Sequence, residues 1–134
     1  MNLLPKFNEF IVESTQNKAH QLIDALPKGS TFEDAKRIDS VFKRSTRSWS
    51  EAIETYERLQ RSAKPEMVNL KDIRITQPNI QSGKVKRMID EKDLPIINAV
   101  QFPDETVIFD GHHRLMAAWS IGLKKVKMNV VRAN

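Results

Sequence analysis

Five consecutive residues, Asp110-Gly111-His112-His113-Arg114, hold most of the chemistry this chain can do. Two of the chain's three histidines are among them. An imidazole gives and takes protons near neutral pH. Arg114 offers a planar fork of donors that matches a phosphate. Asp110 can hold a magnesium ion, usually through water, or orient a histidine. Gly111 permits a sharp turn and close approach of a ligand to the backbone. Each residue also has a plain structural use: Asp110 can cap a helix, one histidine can pack in the core, and Arg114 can pair with a carboxylate. A lone histidine would favour that plain use. A glycine, two histidines, an arginine and an aspartate at one turn shift the balance toward a ligand site. Asp110, His112 and His113 are the expected catalytic residues, and Gly111 and Arg114 the expected phosphate-binding ones.

The flanking residues say how the five are held. The apolar run Thr106–Phe109 reads as a strand, and Met116–Ile121 continue a helix that Gly122 ends. A strand, a tight turn and a helix start leave the amides of residues 111–114 facing outward, where an anion can take them. Pro95–Phe102 reads as the partner strand, joined through a hairpin turn at Pro103-Asp104-Glu105. Lys125–Val131 alternates lysine with apolar residues, which predicts a final strand at an edge or with one wet face. Upstream, Met67–Asn69 reads as a short strand and Leu70–Ile73 as one helical turn capped by Asn69. Ile75–Gln81 is a polar loop, and Ser82 caps a helix over 83–91 with Val85, Met88 and Ile89 on one face.

Residues 1–66 have a different texture. Phe7, Phe10, Ile11, Leu22, Ile23 and Leu26 give helical spacing over 7–26. Thr31 with Asp34 resembles a capping box opening a second helix, with Phe32, Ala35, Ile38, Val41 and Phe42 as its stripe. A third helix starts near Ser48, with Trp49, Ala52, Ile53, Tyr56 and Leu59 on its apolar face. Lys64-Pro65-Glu66 closes this segment. The expected organisation is a helical segment over 1–66 and a second unit over 67–134. The helices pack on the sheet or form a homodimer contact, with Phe42, Trp49 and Tyr56 as anchors.

Composition narrows the chemistry. The 134 residues suit one domain with an appendage. The chain has no cysteine, which removes disulfides, thiolate metal sites and a cysteine nucleophile, and is compatible with a reducing cytoplasm. No apolar run is long enough to span a bilayer, and the N-terminus lacks the pattern of a secretory signal, so no membrane partner is expected. Net charge is +5 and uneven: residues 1–66 carry 11 basic and 10 acidic side chains, net +1, and residues 67–134 carry 11 and 7, net +4. The basic half holds the motif and suits a phosphate partner, of a nucleotide or of nucleic acid.

The motif and the order of elements around it resemble the ParB/sulfiredoxin superfamily, especially small phage or mobile-element members carrying Asp-Gly-His-His-Arg. The resemblance covers roughly residues 67–132. It implies an α+β fold, a small mixed sheet with helices, here preceded by the helical segment. It also places the loop of Gln77, Asn79 and Gln81 beside the turn, as amide groups able to read a ligand's edges or ribose hydroxyls. Chromosome-partitioning ParB proteins carry Gly-Glu-Arg-Arg at this turn, so Gly111 and Arg114 match and His112-His113 depart. No segment after Asn134 supplies a helix-turn-helix or dimerisation domain, so a complete partition protein is not expected. Sulfiredoxins carry Gly-Cys-His-Arg; His112 stands where their catalytic cysteine does, which removes sulfinic acid reduction. The free serine kinases of this fold can carry the same five residues, and there the turn grips nucleotide phosphates.

Three functions follow as expectations. The leading one is a nucleotide-binding protein, a hydrolase or phosphotransferase using Mg2+ with ATP, ADP or CTP. The second is a ParB-like DNA-binding protein or nuclease, with Lys84, Lys86, Arg87, Lys124, Lys125 and Lys127 as phosphate contacts. The third is a non-catalytic phage interaction protein. Met1–Glu13, ending in Ile11-Val12-Glu13, resembles the leader that some tailed phages cleave from internal head proteins after Leu/Ile-x-Glu. That resemblance implies packaging in the virion; otherwise the expected location is the cytoplasm, the host's if the protein is phage-encoded.

Overall fold

A computed structural model describes residues 17–26, 28–31, 33–34, 37, 43–44, 47–91 and 96–133. Strands drawn mainly from the second half, joined by a short one at residues 43–44, assemble a mixed sheet ordered β1-β3-β5-β4-β6-β2. The strands are β1 (Lys43–Arg44), β2 (Lys64–Asn69), β3 (Ile73–Ile75), β4 (Ile97–Gln101), β5 (Thr106–Asp110) and β6 (Lys125–Arg132). Parallel pairs join β1 to β3, β3 to β5 and β4 to β6; the pairs β4–β5 and β2–β6 are antiparallel. The chain is therefore α+β with a mixed sheet.

Alternation along the strands sends side chains to two faces, and each face has its own cover. Ile97, Ala99, Ile108, Val126, Met128 and Val130 point to one side. There they meet Val85 and Ile89 of α2 (Ser82–Glu91) and Leu115, Met116 and Trp119 of α3 (His112–Ser120). Ala19, Ile23 and Leu26, in and just after the helical stretch 17–24, complete this core. Val100, Phe102, Val107 and Phe109 point to the other side, where α1 (Trp49–Leu59) lays Ala52, Ile53, Tyr56 and Leu59 on them. Each large apolar side chain buried this way contributes roughly 1.5–3 kcal/mol.

Local signals set the element ends. Ser48 caps α1 by accepting from the Glu51 amide at 3.1 Å. Thr31 and Asp34 exchange the capping-box bonds, Asp34 N–H to Thr31 Oγ1 at 3.2 Å and Thr31 N–H to Asp34 Oδ2 at 2.9 Å. Asn69 caps the turn Leu70–Asp72. Phe102 N–H donates to the Glu105 carbonyl across the hairpin turn. Gly122, with φ +87°, ends α3 by donating to Trp119 O at 2.9 Å.

Two expectations need correction, and one pair of alternatives is decided. Lys64-Pro65-Glu66 does not close a helix but opens β2, the edge strand beside β6, where a proline lacking N–H is tolerated. Of the two readings of the β6 lysines, an edge or one wet face, the second holds, because β6 lies inside the sheet between β4 and β2. Ser82 is the first residue of α2, not its cap. Phe7, Phe10, the Ile11–Glu13 motif and the stripe Phe32, Ala35, Ile38, Val41 and Phe42 lie outside the described residues.

Candidate functional site

The site begins with an irregularity in β5. Ala99 pairs with Ile108 and Asn98 pairs with Asp110, so Phe109 is an extra residue, a β-bulge. A bulge frees one backbone group from the ladder and re-aims the next side chain. Trp49 Nε1 donates to the Phe109 carbonyl at 2.6 Å. Asp110 is aligned from the same side: Asn98 Nδ2 donates to its Oδ2 at 3.1 Å, and Tyr56 Oη donates to Asn98 Oδ1 at 3.3 Å. The Tyr56 ring lies 4.4 Å from that of Phe109. Helix α1 thus supports the turn from behind.

Gly111 is required twice. Its φ of +97° lies in the left-handed region. A Cβ there would also meet Ile97 Cγ1 at 3.2 Å and Ile97 Cα at 3.3 Å. Gly111 is itself the N-cap of α3, with no side-chain cap bond, so Asp110 does not play the capping part open to it. The first helical bond runs from Leu115 N–H to Gly111 O at 2.9 Å. The amides before Leu115 have no carbonyl one turn back to bond.

The two histidines point apart, and each holds one end of the facing loop. His112 is 1 % exposed. Its Nε2 accepts from the amides of Thr76 and Gln77, both at 3.1 Å. An accepting Nε2 carries no proton, so the neutral ring is protonated at Nδ1. Burial, and then the neighbouring His113, push its pKa down to about 4, against a smaller upward pull from Asp110. His113 is half-buried, and its Nε2 accepts from the Gln81 amide at 3.1 Å. Burial first, then the Lys84 charge, lower its pKa as well. From the opposite side, Ile80 N–H donates to Ser30 O at 2.7 Å, and Asn79 bridges to Thr31. Gln77 Nε2 closes the loop on itself by donating to Asn79 O at 2.9 Å.

Turn and loop face each other across a cleft of about 380 Å3, walled by Gln77, Gln81, Lys84 and Met88 and by residues 110–114. Arg114 lines it and donates weakly to Ile96 O at 3.4 Å. Asn79 is exposed and lies outside the cleft lining. The remaining basic residues do not gather. Lys84, Lys86 and Arg87 ride on α2, where Lys86 pairs with Asp24. Val126 and Met128 point into the core beneath α2, so Lys125 and Lys127 project from the opposite face of the sheet, and Lys124 sits in the preceding turn.

A larger, open concavity of about 970 Å3 lies near the hairpin turn. Several of its charges are paired: Arg74 with Glu105 at 3.2 Å and Arg132 with Glu66 at 2.6 Å. Arg47 pairs with Asp104 at 2.9 Å while stacking on Phe102, and it holds the Asp104 carboxyl below its ordinary range. The smaller cleft is the one onto which a helix start opens, beside Arg114 and Lys84. Among the described residues no group of three or more His, Asp or Glu side chains is placed to hold a metal ion. Among them, too, no helix is long and apolar enough to cross a membrane.

Sequence reasoning missed Asn98 and assigned Trp49 and Tyr56 only to packing. Asn98 left a signal, as a lone amide in the apolar run Ile96-Ile97-Asn98-Ala99-Val100. Comparison with known proteins gives no match to a family model, a curated protein or a solved structure.

Proposed function

We propose that this chain is a nucleotide-binding domain of ParB/sulfiredoxin type that seats phosphates at the start of α3. The supporting observation is the left-handed Gly111 turn, which opens α3 onto a cleft also walled by Arg114, Lys84 and the loop of Gln77 and Gln81. Helix N-termini favour anions through their outward amides and dipole, and Arg114 adds a charged fork. The reaction suited to this site is Mg2+-dependent hydrolysis or transfer of a phosphoryl group. Magnesium needs only one or two protein carboxylates beside substrate phosphates and water, so Asp110, exposed at the lip and aligned by Asn98, fits it. When bound, the ion neutralises phosphate charge. In this reading His112 and His113 are positioning residues, because each Nε2 accepts a loop amide. Binding of DNA has less support, since the basic residues divide between two faces of the sheet.

A thermal-shift panel of nucleoside di- and triphosphates, with and without Mg2+, tests the proposal. A ligand at a hundred times its Kd stabilises the fold by about 2.7 kcal/mol. Arg114→Ala is expected to abolish most of that shift. No stabilisation by any nucleotide would sink the reading, and steeply salt-dependent DNA binding in its place would favour the nucleic-acid alternative.

A further inference from the structure

Trp49 opens α1 with its side chain 50 % exposed, whereas Trp119 is 9 % exposed in the core. Leaving so much indole in water forgoes burial that a tryptophan ordinarily takes. The ring is not loose, however: its Nε1 is anchored to the Phe109 carbonyl at 2.6 Å, one residue before Asp110. Anchoring through the nitrogen edge fixes the ring beside the turn while half of its surface stays available. Ile96, 40 % exposed, stands at the same end of the sheet, and its carbonyl receives Arg114. Neither side chain lines the cleft itself, but the indole is bonded to the residue next to Asp110, which does, so its exposed face lies just beyond that end of the cleft.

We propose that Trp49 is the base-stacking platform of the site, with phosphates at residues 111–114 and the nucleoside passing Asp110 to lie on the indole. This rests on the nucleotide reading above and adds the part of the ligand that the turn does not explain. Every base has a π-face, so stacking tolerates different bases. The larger purine surface overlaps an indole further, so ATP binds more tightly than CTP.

Titration calorimetry of the full chain with ATP, CTP and inorganic tripolyphosphate, each with Mg2+, tests the platform. Trp49→Ala is expected to weaken ATP binding about tenfold or more, as loss of a stacked base does, and to leave tripolyphosphate binding at the wild-type level. Trp49→Phe, which stacks but cannot bond the Phe109 carbonyl, restores most of the ATP affinity. The retained tripolyphosphate binding shows in the same experiment that the turn is still folded. Unchanged ATP affinity in Trp49→Ala overturns the platform alone, provided that wild type binds tripolyphosphate and Arg114→Ala does not. Equal losses for ATP and tripolyphosphate in both Trp49 variants also overturn it, because the indole would then act only through the backbone. If wild type binds neither ATP nor tripolyphosphate, the nucleotide reading fails and the platform with it.

Discussion

At the scale of single residues, His112 matters for what its ring accepts. Two backbone N–H groups converge on Nε2, and a proton there would turn the acceptor into a donor facing donors. Its folded pKa of about 4 lies below the ordinary 6.5, so the unfolded chain takes up the proton first as pH falls. Stability is then full above pH 6.5, declines as pH drops toward 4, and flattens below. By linkage the decline from pH 8 to pH 5 is about 2 kcal/mol. Urea denaturation across that range is expected to show this slope, and His112→Gln, which can still accept but does not titrate, is expected to flatten it. An unchanged slope in the variant would mean that other groups carry the pH dependence.

At the scale of elements, adjacent histidines on α3 set the position of a loop more than thirty residues away in sequence, at Thr76 and Gln77 on one side and Gln81 on the other. Side chains of neighbouring helical residues diverge, which is unhelpful for sharing one metal ion but suits holding two ends of a loop. His113→Ala removes only the Gln81 acceptor. Hydrogen exchange is expected to speed up at the Gln81 amide and the start of α2, while the Thr76 and Gln77 amides stay protected by His112. Equal deprotection at both ends would show that the loop is held as one unit and not by two separate bonds.

At the scale of the whole molecule, the described helical residues of the first half are part of the fold's interior. The described face of α1 is spent on Val100, Phe102, Val107 and Phe109, and residues 19–26 complete the opposite core. A chain starting at Ala63 would bare those four residues, a contiguous apolar surface that isolated domains rarely tolerate. Such a chain is expected to lose cooperative unfolding or to self-associate, as read by light scattering and thermal melts. A monomeric, cooperatively melting product would show that residues 63–134 fold independently.

The local pattern of the sequence was enough for the turn itself, because glycine, a following helix and convergent polar residues are neighbours in the chain. It also marked the caps at Ser48, Thr31 and Asn69 and the hairpin, since each depends on contacts a few residues apart. Strand order, the place of β6 inside the sheet and the extension of β2 to Lys64 were not legible, because pairing depends on partners far along the chain. The bulge at Phe109 has no signature of its own in one strand; it exists only as a mismatch between β4 and β5. Tertiary structure also decided what the two histidines bond to. Types and spacing made His112 and His113 expected proton carriers, and only burial against the loop amides showed them as acceptors that hold the second wall. The same packing brought Trp49 and Tyr56 to the back of the turn, across a distance in sequence that no local pattern spans.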